Sequence, residues 1–296
     1  MRIRARPIAA GRASGQALVH NAPFSFVGGA DPSSGALLDR HASAPGERLA
    51  DRIFAFPHGK GSTVGSYVLY GLTRRGVGPA GLVTTRADGI VAVGAVLSGI
   101  PMVDRVDVGG FQSGDRVSVD GDRGVVELPD VRGRPVVSAV LRNQGRILIV
   151  RRSREVGSFP GRWSAVSGYL EGREEPKDRA VIEIREETGL RAPRLQTAGS
   201  AVLARHESTM YVIHPFLFDV QSRRVRLDWE NVEHRWIAPN QLGRFDTVPR
   251  LKDVVEAVLP NSTSTVPSTS SLRSPRRRGR PPARARSSGA RRARTG

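Results

Sequence analysis

No cysteine occurs among the 296 residues. That excludes disulfides, thiolate zinc sites and iron–sulfur ligation by this chain's own side chains. Long apolar runs are missing too: the longest, residues 90–97, is interrupted by Gly94 and falls far short of the roughly 18 residues a membrane helix needs. The opening stretch MRIRARPIAAGRASG carries positive charge but no apolar centre of the kind a secretory signal requires, so cytoplasmic residence is expected. Histidine is sparse, and His20, His41, His58, His206, His214 and His234 show no metal-ligand spacing.

With 39% apolar residues the chain can bury two ordinary cores. The net charge of +18 suggests nucleic acid until it is located: residues 261–296 hold ten arginines and no acid, leaving +8 for the remainder. That tail opens on NSTSTVPSTSS and continues mainly in Arg, Pro, Ser, Gly and Ala, cannot bury enough apolar surface to fold, and has no aromatic side chain for stacking on bases. It reads as a disordered, solvated tail rather than a nucleic-acid arm.

Periodicity divides the rest near residue 130. Before it, glycine-rich text predicts strands at 51–56, 81–85, 116–119 and 124–128 and helices at 63–74 and 90–98. After it, strands at 135–141 and 146–151 flank the turn Asn143-Gln144-Gly145. A helix over 176–188 has Pro176 in its first turn and Gly189 at its end. Strands at 198–203, 211–219 and 224–227 and a helix at 250–258 complete a mixed α and β pattern. Three segments follow: 1–130, 131–260 and the tail 261–296.

Two stretches carry chemistry. Glu183, Glu186 and Glu187 stand at i, i+3 and i+4, so one helix face gathers carboxylates that repel unless a cation sits among them. Hard oxygen ligands suit Mg²⁺ or Mn²⁺, which can activate water and neutralise phosphate charge. With Gly168, Glu174, Ile184, Gly189 and Leu190 the set resembles the Nudix box at every defined position but one, Ile182, where the family has arginine. Pro160-Gly161-Arg162-Trp163 and Glu233-His234-Arg235-Trp236-Ile237 are similar to Nudix framework segments. The resemblance implies an α/β/α sandwich that hydrolyses a nucleoside-diphosphate-type or other diphosphate bond, with Glu183, Glu186 and Glu187 as metal ligands. In relatives the box arginine pairs with a box glutamate; here Arg179, one turn before Glu183, can substitute. Glu207, Glu230 or Glu233 could add a base. A non-catalytic nucleotide-sensing module stays open as the alternative.

The second stretch, Phe56-Pro57-His58-Gly59-Lys60-Gly61-Ser62-Thr63, leaves a strand and opens a helix. Gly59 and Gly61 permit close approach, the helix N-terminus favours an anion, and Lys60 adds a cation; Ser62 or Thr63 can cap the helix. Together with residues 22–32 and 90–101 the loop resembles the small subunit of the aconitase X family, its GKGSTVGSYVLY wording being similar to the phosphomevalonate dehydratase branch. This implies a swivelling β/β/α domain with Ser62 as catalytic base, Gly59, Lys60, Gly61 and Thr63 holding a phosphorylated substrate, and a partner large subunit that carries the iron–sulfur cluster.

Overall fold

The computed structural model describes residues 1–38 and 46–259. His41 and the arginine-rich tail, expected to be disordered, lie outside the described residues.

The first eight strands are β1 (Arg2–Arg4), β2 (Arg6–Ala9), β3 (Arg12–Val19), β4 (Arg52–Phe56), β5 (Gly81–Thr84), β6 (Met102–Asp104), β7 (Arg116–Asp120) and β8 (Val125–Glu127). They form one sheet in the order β1-β8-β7-β3-β4-β5-β6-β2, parallel from β3 through β6 and antiparallel on either side. Side chains alternate between two cores, as the period of two demands. Leu18, Phe54, Phe56, Leu82 and Met102 face helices α1 (Val64–Arg74) and α2 (Gly89–Ser98). Ala17, Ile53, Ala55, Val83 and Val103 face the opposite way, onto Val117, Val119 and Val126 of the sheet's own antiparallel end, which curls across them. Both helices and the strands β4, β5, β7 and β8 fall where periodicity places them, within a residue or so. β1, β2, β3 and β6 were not foreseen. β3 carries a glycine in mid-strand because any Cβ on Gly15 would come within 2.5 Å of the Asp51 carbonyl oxygen.

The remaining strands are β9 (Arg132–Asn143), β10 (Arg146–Arg152), β11 (Trp163–Ser164), β12 (Val166–Tyr169), β13 (Arg194–Ala198), β14 (Val202–His206), β15 (Thr209–Asp219) and β16 (Asn231–Ile237). A long parallel pairing of β9 with β15 forms the spine of this second sheet. The β9–β10 turn places Gln144 and Gly145 at φ 47° and 72°, the left-handed pair that a tight hairpin uses. Val137, Ala139, Leu141, Leu148 and Val150 pack on helix α3 (Pro176–Thr188), while Val140, Ile147 and Ile149 pack on helix α4 (Leu251–Val258). The result is a helix–sheet–helix sandwich.

Two sequence expectations are corrected here. The stretch 198–203 is no single strand: it straddles the break between β13 and β14, because Gly199 passes so close to helix α4 that a Cβ would lie 2.7 Å from the Ala257 carbonyl. Residues 224–227 form no strand either; they run beside α3, with the Arg226 amide donating to the Thr188 carbonyl, and the strand that pairs with β10 is β16 instead. Both sheets belong to one compact unit. Among the described residues no helix is long and apolar enough to cross a membrane.

Candidate active sites

The 57–63 loop leaves the C-terminal end of β4 and delivers the chain to the N-terminus of α1. Ser62 accepts the Val64 amide on Oγ at 3.3 Å and the Gly65 amide on its carbonyl at 2.9 Å, whereas Thr63 makes no side-chain cap. Gly59 is buried because a carboxylate fills the space a side chain would need: its amide donates to Asp88 Oδ2 at 2.9 Å. The other Asp88 oxygen accepts the Ile90 and Val91 amides at 3.0 and 3.2 Å, so one side chain caps α2 and pins the loop. Gly61 has φ 107°, a conformation only glycine adopts without strain. Lys60, Gly61, Ser62 and Thr63 lie exposed on one lip, the Lys60 amide donating to the Phe24 carbonyl. His58 turns toward the backbone, its Nδ1 2.9 Å from the Gly59 carbonyl. Asp88 was not anticipated as a loop partner. Its signal was its place just before the apolar run 90–97.

Beside this lip the outward faces of α1 and α2 expose apolar side chains. Tyr67 is 71% exposed and Val96 61%, with Val64, Tyr70, Val93 and Leu97 around them. Ser66 Oγ donates to the Ile90 carbonyl and locks the two helices together.

The second site is a cavity of about 270 Å³ whose lining includes the carboxylates Glu171, Glu183, Glu186, Asp228 and Glu230 and the rings of Phe159, Tyr169 and Tyr211. Helix α3 supplies the box glutamates, and β12 itself supplies Gly168, where a Cβ would collide with the Glu183 carboxylate as it stands. Glu183 is buried and its Oε1 accepts Arg179 Nε at 2.7 Å. Glu187 is buried more deeply, accepting the Ser167 amide at 2.9 Å and Asn231 Nδ2 at 2.7 Å. Glu186 is exposed, 3.9 Å from Arg179. Glu174 stands outside the cavity and accepts the Glu171 amide, closing the loop.

Electrostatics follow burial. Loss of water pushes the Glu183 carboxyl up, Arg179 opposes this, and Glu186 and Glu230 add to it. Burial drives Glu187 up to about 8 against the Ser167 and Asn231 donors, with Glu183 and Asp228 contributing. As the side chains stand, among the described residues no three His, Asp or Glu groups converge as a metal cage, because Glu183 is drawn to Arg179 and Glu187 inward to Asn231. The donor chemistry nonetheless suits a hard divalent cation: carboxylates from α3 and from residues 228–230 share one cavity, and Gly168 leaves Glu183 room. Of the suggested extra bases, Glu230 lines the cavity, Glu233 pairs with Arg151 and Arg235, and Glu207 is exposed at the β14–β15 turn. Ser167, Asp228 and Asn231 went unremarked in the sequence, where nothing in their spacing links them to the box. Ile182 is 42% exposed and points away from the cluster, and the arginine pairing it forgoes is made by Arg179.

A swivel-type sheet with a glycine–serine lip and a sandwich with a carboxylate helix define a two-part enzyme chain. Residues 2–128 match the family "Aconitase X swivel domain" and residues 132–258 the "NUDIX domain". The chain belongs to the aconitase X swivel family and carries a Nudix hydrolase domain after it. It is 46% identical over 128 residues to the phosphomevalonate dehydratase small subunit of Pyrococcus furiosus, covering 96% of that protein and 43% of this chain. With the small subunit of the same name from Methanocella arvoryzae the identity is 47% over 131 residues, 99% of that protein and 43% of this one. Among solved structures, Thermococcus kodakaraensis aconitase X in its holo form is 44% identical, with 43% of this chain and 98% of that one covered at a TM-score of 0.42. The MutT protein of Methanosarcina mazei is 24% identical, with 43% and 92% covered at a TM-score of 0.38.

Proposed function

We propose that two domains meet near residue 130: a dehydratase small-subunit domain that works with a separate large subunit, and a metal-dependent diphosphate hydrolase. The first half of this reading rests on the exposed Lys60–Thr63 lip at the α1 N-terminus, suited to a phosphorylated hydroxy acid, and on relatives whose name says small subunit. Ser62 would take the proton, its hydroxyl exposed and its backbone fixed by the α1 turn. A partner's iron–sulfur cluster would supply the Lewis acid, since this chain has no cysteine. Cytoplasmic residence suits both halves.

One observation carries the hydrolase reading: glutamates from α3 and the 228–230 segment share a cavity beside Gly168, whose missing side chain leaves the space that the Glu183 carboxylate fills. Glu183, Glu186 and Glu187 would hold Mg²⁺ or Mn²⁺, whose charge would offset the burial that chiefly raises Glu183 and Glu187 and the smaller repulsion of their acidic neighbours. When bound, the ion supplies charge neutralisation at the diphosphate oxygens. Arg179 orients Glu183, and Ser167 with Asn231 hold Glu187. Phe159, Tyr169 and Tyr211 give the rest of the substrate an apolar wall.

The test is phosphate or phosphomonoester release by the full chain with Mg²⁺ across nucleoside-diphosphate and prenyl-diphosphate substrates. Turnover is expected, falling at least about 100-fold in Glu186→Gln and Glu187→Gln with folding intact. A folded, metal-replete protein that splits none of them overturns the hydrolase reading. A sensor is the second reading, favoured by the Arg179 clasp on Glu183; tight nucleotide binding by calorimetry without turnover would establish it.

A further inference from the structure

The two halves are joined by more than the chain. Leu203 and Met210 of the β14–β15 hairpin, 4% and 0% exposed, sit in the same core as Val106, Val108 and Phe111 of the first half. Any Cβ on Gly110 would collide with both, so the close approach is built into the sequence. Around this contact Asp107 accepts the Leu203 amide at 2.8 Å and Arg250 Nη2 at 3.1 Å, while Arg250 Nη1 donates to the Leu203 carbonyl at 2.9 Å. A second pair, Arg205 with Asp115 at 3.2 Å, has both side chains only 10% exposed.

The joint and the hydrolase cavity use opposite sides of the same elements. On β14, Leu203 and Arg205 grip the first half while Ala204 between them lines the cavity. At the start of α4, Arg250 holds Asp107 while Pro249, Leu251 and Val254 line the cavity. Arg250 itself adopts φ 64°, a left-handed conformation disfavoured for arginine and held in place by Asp107, Asp253 and Leu203. On the far side, Asp107 caps the turn Val108–Gly110, and the Val108 amide donates to Thr85 Oγ1. The Arg105 amide donates to the Thr85 carbonyl, the Thr85 and Arg86 amides both donate to the Pro57 carbonyl, and the Gly59 amide donates to Asp88. Hydrogen bonds joined by short backbone steps thus lead from the cavity wall to Pro57, at the base of the glycine–serine loop.

We infer that this joint couples the two sites: whatever repositions the start of α4 in the hydrolase cavity alters the order of the 57–63 lip, and the reverse holds by reciprocity. The coupling rests on the reading of both sites given above, but its test does not depend on a substrate. Hydrogen exchange of the full chain is followed for peptides covering 57–63, 105–111 and 248–254. Arg250→Gln is expected to speed exchange at 57–63 by about 5-fold or more, across the joint, and Asp107→Asn to do the same at 248–254. Arg250→Lys, which keeps the cation, covers the case in which the glutamine variant fails to fold. Acceleration confined to 105–111 in Arg250→Gln, with 57–63 unchanged, overturns the coupling. In wild type, ADP with Mn²⁺ is expected to slow exchange at 57–63, an effect lost in Arg250→Gln. Failure of ADP to bind by calorimetry counts against a nucleotide as the cavity's occupant, while the response of the variants still decides the joint.

Discussion

Glu187 ties the stability of the fold to pH through one buried side chain. Its carboxyl, driven up to about 8 chiefly by burial, holds a proton in the fold that the unfolded chain, with an ordinary value of 4.5, releases. Between those values the folded state binds more protons, so stability falls as pH rises, by at most about 1.4 kcal/mol per pH unit. In EDTA the urea midpoint is therefore expected to drop from pH 5 to pH 8, and Glu187→Gln to flatten that slope. Parallel slopes for the two proteins would mean that Glu187 titrates normally. The glutamate itself was legible, because i, i+3, i+4 spacing on a helix is a local property. Its anchors were not: Asn231 lies 44 residues away and Ser167 contributes only a backbone amide, which every residue has. Asp228 and Glu230 reach the cavity through a segment with no periodicity to announce it.

Among the elements, helices were readable to within a residue, α3 with its proline start and left-handed Gly189 most of all, whereas β9, expected at 135–141, runs from Arg132 to Asn143. Strands whose glycines or arginines blur alternation were not, as β1 and β3 show. The break between β13 and β14 depends on how near Gly199 comes to α4, a tertiary fact that no propensity encodes. Asp88 lies between these cases, since a residue that caps α2 by local rules also fastens the loop below β4. Asp88→Ala removes three accepted hydrogen bonds and leaves the Gly59 amide, on a buried residue, without its acceptor. A loss of about 1–3 kcal/mol in urea unfolding is expected, with faster exchange at 57–63. A loss no greater than a few tenths of a kcal/mol would show that the loop is held by other means.

Across the whole molecule, absence of cysteine and exposure of apolar surface lead to one conclusion. On the function proposed above, Ser62 would be presented to a large-subunit partner, which would close over the surface around it. That surface bears the exposed apolar side chains of Tyr67, Val93, Val96 and Leu97, on two helices that Ser66 locks together. The hydrolase half occupies another part of the same domain, at Asp107 and Asp115, on the core opposite the helices, and so leaves the patch open. Co-expressed with the dehydratase large subunit of its own organism, the chain is expected to elute as a complex. Tyr67→Arg and Val96→Arg together are expected to weaken that complex by about 100-fold or more, because two charges would be buried in an apolar contact. Diphosphate hydrolysis by the double variant should match wild type, as neither residue approaches the carboxylate cavity. A double variant that binds the large subunit as tightly as wild type would move the docking face elsewhere on the domain.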